Sequence, residues 1–587
     1  MLDYVIRGGT IIDGTGSPGR SGDVGVRGGR IVDVGGRITE PARQEIDADG
    51  CVVAPGWVDI HTHYDGQSTW DDALDPSAAN GVSTAIGGNC GIGFAPVRSG
   101  DVDVLIDFME GVEDIPGSCL RAGIPWGAWE TFPQYLDHLG SRKWSLDIGT
   151  QLPHGPLRLY AMGERGGRDV SATADELRTM SDLAREALAA GALGVTTSRT
   201  CIHRRASTGD VLPGTYAAEA ELDVLASALR DKGRGVFQVV PSGVVGPREE
   251  LGGERRTSVE EWRLLAEVSK RNNVPMSITL VQLKHDPEEW RRLLGFMDAA
   301  NRDGARLTAQ FSPRGIGRLV GLTTYHQFQF RKTFYETLRN LPFEQMLEEM
   351  RKPEVKAAIL ADGNVDPSKP GSGESFGFER YARDFPYTFP IKSPMDYEPA
   401  WEASVAGLAK ARGMDPMELM YDLLVADGGR NFFWILSTNY SEYSLDHAAA
   451  FFRHPDTVTG LSDAGAHVSS ICDMALPTFQ LMHFGRDRTR GERLPLELII
   501  AKQTRVNALY YGLEDRGALL PGLRADINVI DMRNLGLKTP VMLNDLPGGN
   551  RRVMQYAEGY VAGMVAGELT RMNGEDTGAR PGRLIRG

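Results

Sequence analysis

Eight short apolar runs, each ending at a polar or glycine-rich turn, recur through the middle of this 587-residue chain. They are Cys51–His63, Gly81–Cys90, Leu146–His154, Gly191–Ser198, Gly235–Val240, Pro275–Lys284, Arg306–Ser312 and Thr457–Asp463. Runs this short and this apolar suit strands buried on both faces, as in parallel sheets covered by helices. Helical patterns lie between several of them. Over 173–190, Leu177, Met180, Ala184, Ala187 and Leu188 share one face. Eight strands with helical connections predict an α/β fold, a (β/α)8 TIM-like barrel, whose chemistry belongs at the strand C-termini.

The two chain ends carry a different pattern. Tyr4 to Ile12 alternates and stops at Asp13-Gly14, and Asp23 to Val34 breaks at Gly28-Gly29, a hairpin signal. Similar runs return at Ala525–Asp531 and Gly559–Gly567. Both ends together predict a small β-sandwich-like domain, residues 1–54 and 516–587, around a barrel over 55–515. Between Ser312 and Thr457 the chain shows little regular pattern, notably from Asp362 through Pro370-Gly371-Ser372-Gly373 and from Phe376 to Phe389. We expect an insertion over about 316–450, placed before the last strand and covering the barrel mouth.

With 41% hydrophobic and 24% charged residues the chain should fold without help. A net charge of −14 argues against nucleic acid or an anionic membrane as partner. Cys51, Cys90, Cys119, Cys201 and Cys472 are odd in number and form no C-x-x-C pair, which suits a reducing compartment. The N-terminus lacks a signal-peptide pattern, and no apolar run reaches the roughly 20 residues of a membrane span. These features predict a soluble, cytoplasmic protein acting on a small molecule, and self-association into a homo-oligomer is compatible with them.

His61 and His63 end the first run. Side chains alternate along a strand, so both imidazoles face one way and offer half of a divalent metal site. Alone, such a pair is as well explained by ordinary hydrogen bonding. Asp463, however, ends the last run, and first and last strands are neighbours in a closed barrel. Asp463 could cap a following helix, or bind a metal and take a proton from the attacking water. Cys90, in Gly88-Asn89-Cys90-Gly91 at the end of the second run, is either a small buried residue or a thiolate ligand. The flanking glycines would let the backbone come close to the metal.

Here the chain resembles the amidohydrolase superfamily, and within it the D-aminoacylase branch of N-acyl-D-amino-acid deacylases. The resemblance lies in Ile6 to Gly16 (Ile-Arg-Gly-Gly-Thr-Ile-Ile-Asp-Gly-Thr-Gly), in Pro55-Gly56-Trp57-Val58-Asp59-Ile60-His61-Thr62-His63, in Gly88-Asn89-Cys90-Gly91 and in Gly522-Leu523-Arg524-Ala525-Asp526-Ile527-Asn528. It implies a zinc enzyme that hydrolyses N-acyl-D-amino acids. It further implies that His61, His63 and Cys90 hold the metal and that Asp463 is the catalytic aspartate. His154-Gly155-Pro156-Leu157-Arg158 looks like the family's turn after the third strand.

The chain also departs from that family. Histidines usual on the fifth and sixth strands are replaced, in the natural register, by Gln238 and Gln282. A neutral amide is a poor zinc ligand, so we expect one Zn2+ held by His61, His63, Cys90 and Asp463, with the second position in doubt. His285 as replacement ligand is the weaker alternative, since it has the opposite facing to Gln282. Lys284, Arg199 and Arg314 are candidates to bind a substrate carboxylate, with His154, Gln238 and Gln282 also placed at the substrate; each cation is equally well explained as a structural ion pair. His203, Tyr216 and His467 lie near the mouth without a role. Two other functions stay open: an amidohydrolase for an L-conjugate, cyclic amide or other C–N bond, and a metal-free, non-catalytic barrel.

Overall fold

The computed structural model describes residues 1–366, 369–371, 383–471 and 473–587. The expected positions Ser372, Gly373, Phe376 and Cys472 therefore lie outside the described residues. The eight apolar runs form eight parallel strands: β1 (Trp57–Asp59), β2 (Val82–Gly87), β3 (Asp147–Thr150), β4 (Gly194–Ser198), β5 (Val236–Val240), β6 (Met276–Thr279), β7 (Leu307–Phe311) and β8 (Thr457–Thr459). All are shorter than the runs that announced them; in all but β4 and β5, which are trimmed only at their starts, the polar ends leave the ladder and become the loops of the mouth. Nearly every strand residue is buried, as the continuous apolar runs require.

The ladder runs β1-β2-β3, passes through Leu152–Pro153 onto β4, and continues through β5, β6 and β7 to β8. Closure between β8 and β1 comes from their C-terminal extensions. His63 N–H donates to the Ala464 carbonyl at 2.8 Å, and Asp463 N–H donates to the His61 carbonyl at 3.1 Å. The barrel thus closes at the segment that carries the candidate site.

The helix predicted over 173–190 spans Ala174–Ala190. Thr173 and Glu176 make a reciprocal cap at its start, and Gly191 ends it with φ +117°. Its buried face holds Met180, Ala184, Ala187 and Leu188, while Leu177 is only half-buried at the rim.

The chain ends pair with each other. The central strands of a nine-stranded sheet place Ile527–Ile530 against Val52–Pro55, and Leu2–Ile11 beyond it. The β-domain and the barrel are joined at this seam, as the two separated β-rich ends foretold. The insertion is more regular than its sequence suggests. Ile316–Val320, Thr388–Pro390 and Phe433–Thr438 form an antiparallel sheet. Four helices, Phe343–Met350, Pro353–Ala361, Val405–Arg412 and Pro416–Val425, pack on it around a core of their own that includes Phe328, Met350, Leu419 and Ile435.

Candidate metal centre

Residues at the ends of β1 and β2 meet in one buried cluster. The ligand atoms of His61, His63 and Cys90 all lie within 4.8 Å of one another, and His61 Nε2 is 3.3 Å from Cys90 Sγ. Asp463 Oδ1 stands 3.4 Å from His61 Nε2 and 3.8 Å from His63 Nε2. The four residues that the sequence singled out therefore come together.

Several backbone devices place them. Asp59 accepts the hydroxyl of Ser462 and the N–H of His61, which ties the segment after β8 to the end of β1. Asp463 (φ +48°) and Cys90 (φ +57°) both sit in the left-handed region, uncommon for residues other than glycine and a mark of a tightly constrained turn. The glycines beside Cys90 act differently from expectation. A Cβ at Gly88 would fall 2.2 Å from the Gln151 carbonyl, and one at Gly91 2.9 Å from the Thr197 Cα. They let the loop press against the β3 and β4 segments; the close approach is to neighbouring backbone and not to a metal position.

His61 is oriented from behind. Its Nδ1 lies 2.8 Å from the Gln310 side-chain oxygen at the end of β7. An amide oxygen can only accept, so Nδ1 carries the proton and the Nε2 lone pair faces Cys90 and Asp463. Neither ring nitrogen of His63 has a hydrogen-bond partner among the described residues, and the same holds for Asp463 Oδ1. Buried polar atoms left this way call for a ligand.

The electrostatics say the same. Burial pushes the Cys90 thiol up, with Glu113 and then Asp463 adding to it. Burial raises the Asp463 carboxyl too, helped by Asp473 and Asp59. Burial lowers His61 to about 4 and holds His63 well below the ordinary imidazole range, with His61 contributing. Protein alone thus disfavours every charge in the cluster, whereas a divalent cation would reverse that balance for the thiol and the carboxylates. Two imidazoles, a thiol and a carboxylate form a donor set that fits zinc.

Sequence reasoning missed two members. Glu113 ends the helix α1 (Val102–Glu113), and its Oε2 lies 3.4 Å from His63 Nε2 and 3.5 Å from His467 Nε2. A carboxylate far from any strand end gives no local signal of its own. Gln310 was legible in principle, since it shares the inward facing of alternate residues on β7.

The remaining expected residues go elsewhere. The Gln238 oxygen accepts the Cys90 N–H at 3.1 Å, so Gln238 braces the ligand loop. Gln282 is occupied by the insertion: its amide donates to Glu442 at 2.9 Å and accepts from Ser441 N–H at 3.2 Å. His285 is exposed and packs against Gly246, outside the cluster. His154 uses both ring nitrogens, on Thr197 at 2.9 Å and on Glu221 at 2.8 Å, where Arg158 also binds. Arg199 is buried in an ion pair with Glu261, and Arg314 in one with Asp473. Lys284 pairs with Asp384 and lies 3.6 Å from the centre of the Tyr387 ring. Tyr216 stacks under Arg255. His203 sits beside the cluster, its Nδ1 2.8 Å from Ser198 Oγ, and burial followed by the nearby His61 pushes it down to about 4.

Residues 44–568 match the amidohydrolase family. A D-aminoacylase of Alcaligenes xylosoxydans xylosoxydans is 33% identical over 233 residues, 40% of this chain and 45% of that protein. An N-acyl-D-aspartate deacylase of the same organism is 36% identical over 346 residues, 53% of this chain and 64% of the relative. The chain thus spans under half of the first relative and under two thirds of the second. A solved D-aminoacylase structure superposes over the full length of both chains with a TM-score of 0.64 at 23% identity. An N-acyl-D-glutamate deacylase of Bordetella bronchiseptica, complexed with zinc and a phosphonate inhibitor, also superposes over both full lengths, at 0.63 and 22%. At these identities the two structures establish the fold.

Proposed function

This chain belongs to the amidohydrolase family, and from that premise we propose that it hydrolyses the amide bond of N-acyl amino acids, N-acyl-D-amino acids first, with one zinc ion. The chain is an amidohydrolase-family enzyme acting on a carbon–nitrogen bond other than a peptide bond. One observation carries the reading: His61, His63 and Cys90 converge within 4.8 Å beside Asp463. The choice of acyl-D-amino acid follows the D-aminoacylase and N-acyl-D-aspartate deacylase relatives. The choice of a single ion follows from Gln238 and Gln282, whose side chains are committed to Cys90, Glu442 and Ser441.

His61, His63, Cys90 and a carboxylate would hold the ion, which when bound supplies a lowered water pKa and polarises the substrate carbonyl. The protein's own part is orientation and proton transfer. Gln310 fixes the His61 tautomer, and Gln238 fixes the Cys90 backbone. Asp463, whose Oδ1 stands 3.4 Å from His61 Nε2, takes the proton of the attacking water. It then returns that proton to the leaving nitrogen. Asp463→Asn is expected to lower kcat about 10²–10⁴-fold; near-normal turnover in that variant would overturn the assignment.

A second substrate reading has an observation of its own. Arg199, Arg314 and Lys284, the cations expected to meet a substrate carboxylate, are each paired with a protein carboxylate. That favours a substrate lacking a free carboxylate, such as a cyclic amide. Incubation with N-acyl-D-amino acids, N-acyl-L-amino acids and cyclic amides, with products resolved by chiral chromatography, separates the two. Turnover confined to the D-acyl compounds supports the first reading, and turnover confined to cyclic amides the second.

A further inference from the structure

Two carboxylates reach the cluster, and a catalytic zinc site needs an open position as well as its protein ligands. The two differ in placement. The Asp463 side chain is 20% exposed. The Glu113 side chain is 2% exposed. Glu113 is also locked in place from outside the barrel strands. The N–H of His467 donates to the Glu113 carbonyl, and the hydroxyl of Ser470 donates to the neighbouring Asp114 carboxylate at 3.0 Å. The segment after β8 thus clamps the end of α1 onto the site.

Both carboxylates stand at donor spacing from the cluster, Asp463 at 3.4 Å from His61 Nε2 and 3.8 Å from His63 Nε2, so burial is what separates their roles. The Glu113 Oε2 stands 3.4 Å from His63 Nε2 and 3.5 Å from His467 Nε2. A charge-assisted N–H to carboxylate bond is shorter, at roughly 2.7–2.9 Å. Two donors on one tetrahedral zinc, with bonds near 2.0–2.2 Å, stand roughly 3.3–3.5 Å apart. The second oxygen of Glu113 and both ring nitrogens of His63 have no hydrogen-bond partner among the described residues.

We propose that Glu113 is the carboxylate ligand that completes the metal's protein donors with His61, His63 and Cys90, which leaves Asp463 free to carry the proton. The inference rests on the metal-hydrolase reading above and revises the division of labour within it. Glu113 takes over the donor capacity that Gln238 and Gln282 do not supply, and it does so from a helix end. The His467 backbone N–H holds the helix end that carries Glu113, through the Glu113 carbonyl.

The test compares metal binding in wild type, Glu113→Gln and Asp463→Asn, using purified full-length chain stripped of metal and titrated with Co(II). Bound metal is counted by elemental analysis, and the ligand field is read from the visible cobalt bands. The thiolate-to-cobalt charge-transfer band in the near ultraviolet reports Cys90. Wild type should bind one ion. Glu113→Gln should weaken cobalt at least 10-fold and alter the visible bands while keeping the thiolate band at saturation. Asp463→Asn should bind cobalt within a few-fold of wild type with the same bands. Glu113→Asp, which keeps the charge and retracts it by one methylene, should fall between and guards against a misfolded Gln variant. Unchanged affinity and bands in Glu113→Gln, or loss of metal in Asp463→Asn alone, would overturn the proposal. A wild type that binds no cobalt would instead remove the metal reading on which it stands.

Discussion

At the scale of single residues, the site depends on groups that never touch a substrate. Gln310 is the clearest case. Its side-chain oxygen receives the His61 Nδ1 proton at 2.8 Å and so aims Nε2 at Cys90 and Asp463. Replacing it with Leu leaves the His61 tautomer and ring angle unset in a buried place. Loss of such an outer hydrogen bond typically weakens metal about 10–100-fold. Gln310→Leu is therefore expected to show that drop in a competition titration against a chromophoric chelator, together with a stability loss of about 1–3 kcal/mol from the unpaired His61 Nδ1–H. Metal affinity equal to wild type would mean that Gln310 only fills space. How far such residues can be read from the sequence depends on where their neighbours come from. His61 and His63 were legible because two residues along one strand share a face, and Cys90 and Asp463 because each ends a recognisable run. Glu113 was not, because contacts with residues more than 350 positions away bring a helix end to the site.

At the scale of elements, the weak point of any barrel is the seam where its last strand meets its first. Here β8 is only three residues long and meets the equally short β1 without a regular ladder. Asn507, from the helix that follows, bridges them. Its side-chain amide donates to the Val58 carbonyl and to the Thr459 carbonyl, both at 2.9 Å. Asn507→Ala strips both buried carbonyls of their partner, and each unsatisfied group costs about 1–3 kcal/mol. The urea midpoint should fall accordingly, and metal affinity should fall with it, because His61 and Asp463 lie on the extensions that follow the two strands so joined. A midpoint unchanged from wild type would show that other contacts hold the seam. The barrel strands were legible one by one because burial on both faces leaves an uninterrupted apolar run. The insertion was not. Its three strands come from segments as far apart as Ile316–Val320 and Phe433–Thr438, and pairing across such a distance leaves no short-range pattern in the chain.

At the scale of the whole molecule, a single buried carboxylate ties the insertion to the structure that follows the last barrel strand. Glu398 accepts from Arg488 Nε at 3.0 Å and Nη2 at 2.9 Å, from His483 Nε2 at 3.2 Å and from the Leu445 N–H at 2.7 Å. Burial alone would raise its carboxyl, but the bonds from His483, Arg488 and Leu445 outweigh burial and hold it well below the ordinary range. The unfolded chain, with a Glu pKa near 4.3, therefore takes up a proton here at a pH where the native protein does not. The stability this adds is complete above about pH 5 and is given up progressively as pH falls through the unfolded value towards the lower native one. Wild-type urea midpoints measured from pH 7 to pH 3 should drop more steeply below about pH 5 than those of Glu398→Gln, in which that proton uptake is gone. At pH 7 the variant should already be weaker by about 3 kcal/mol, the low end for breaking a buried pair, because Asp446 remains on Arg488. Parallel midpoint curves for the two proteins would mean that Glu398 titrates alike in both states, and the tie between insertion and barrel would then have to lie in its apolar contacts.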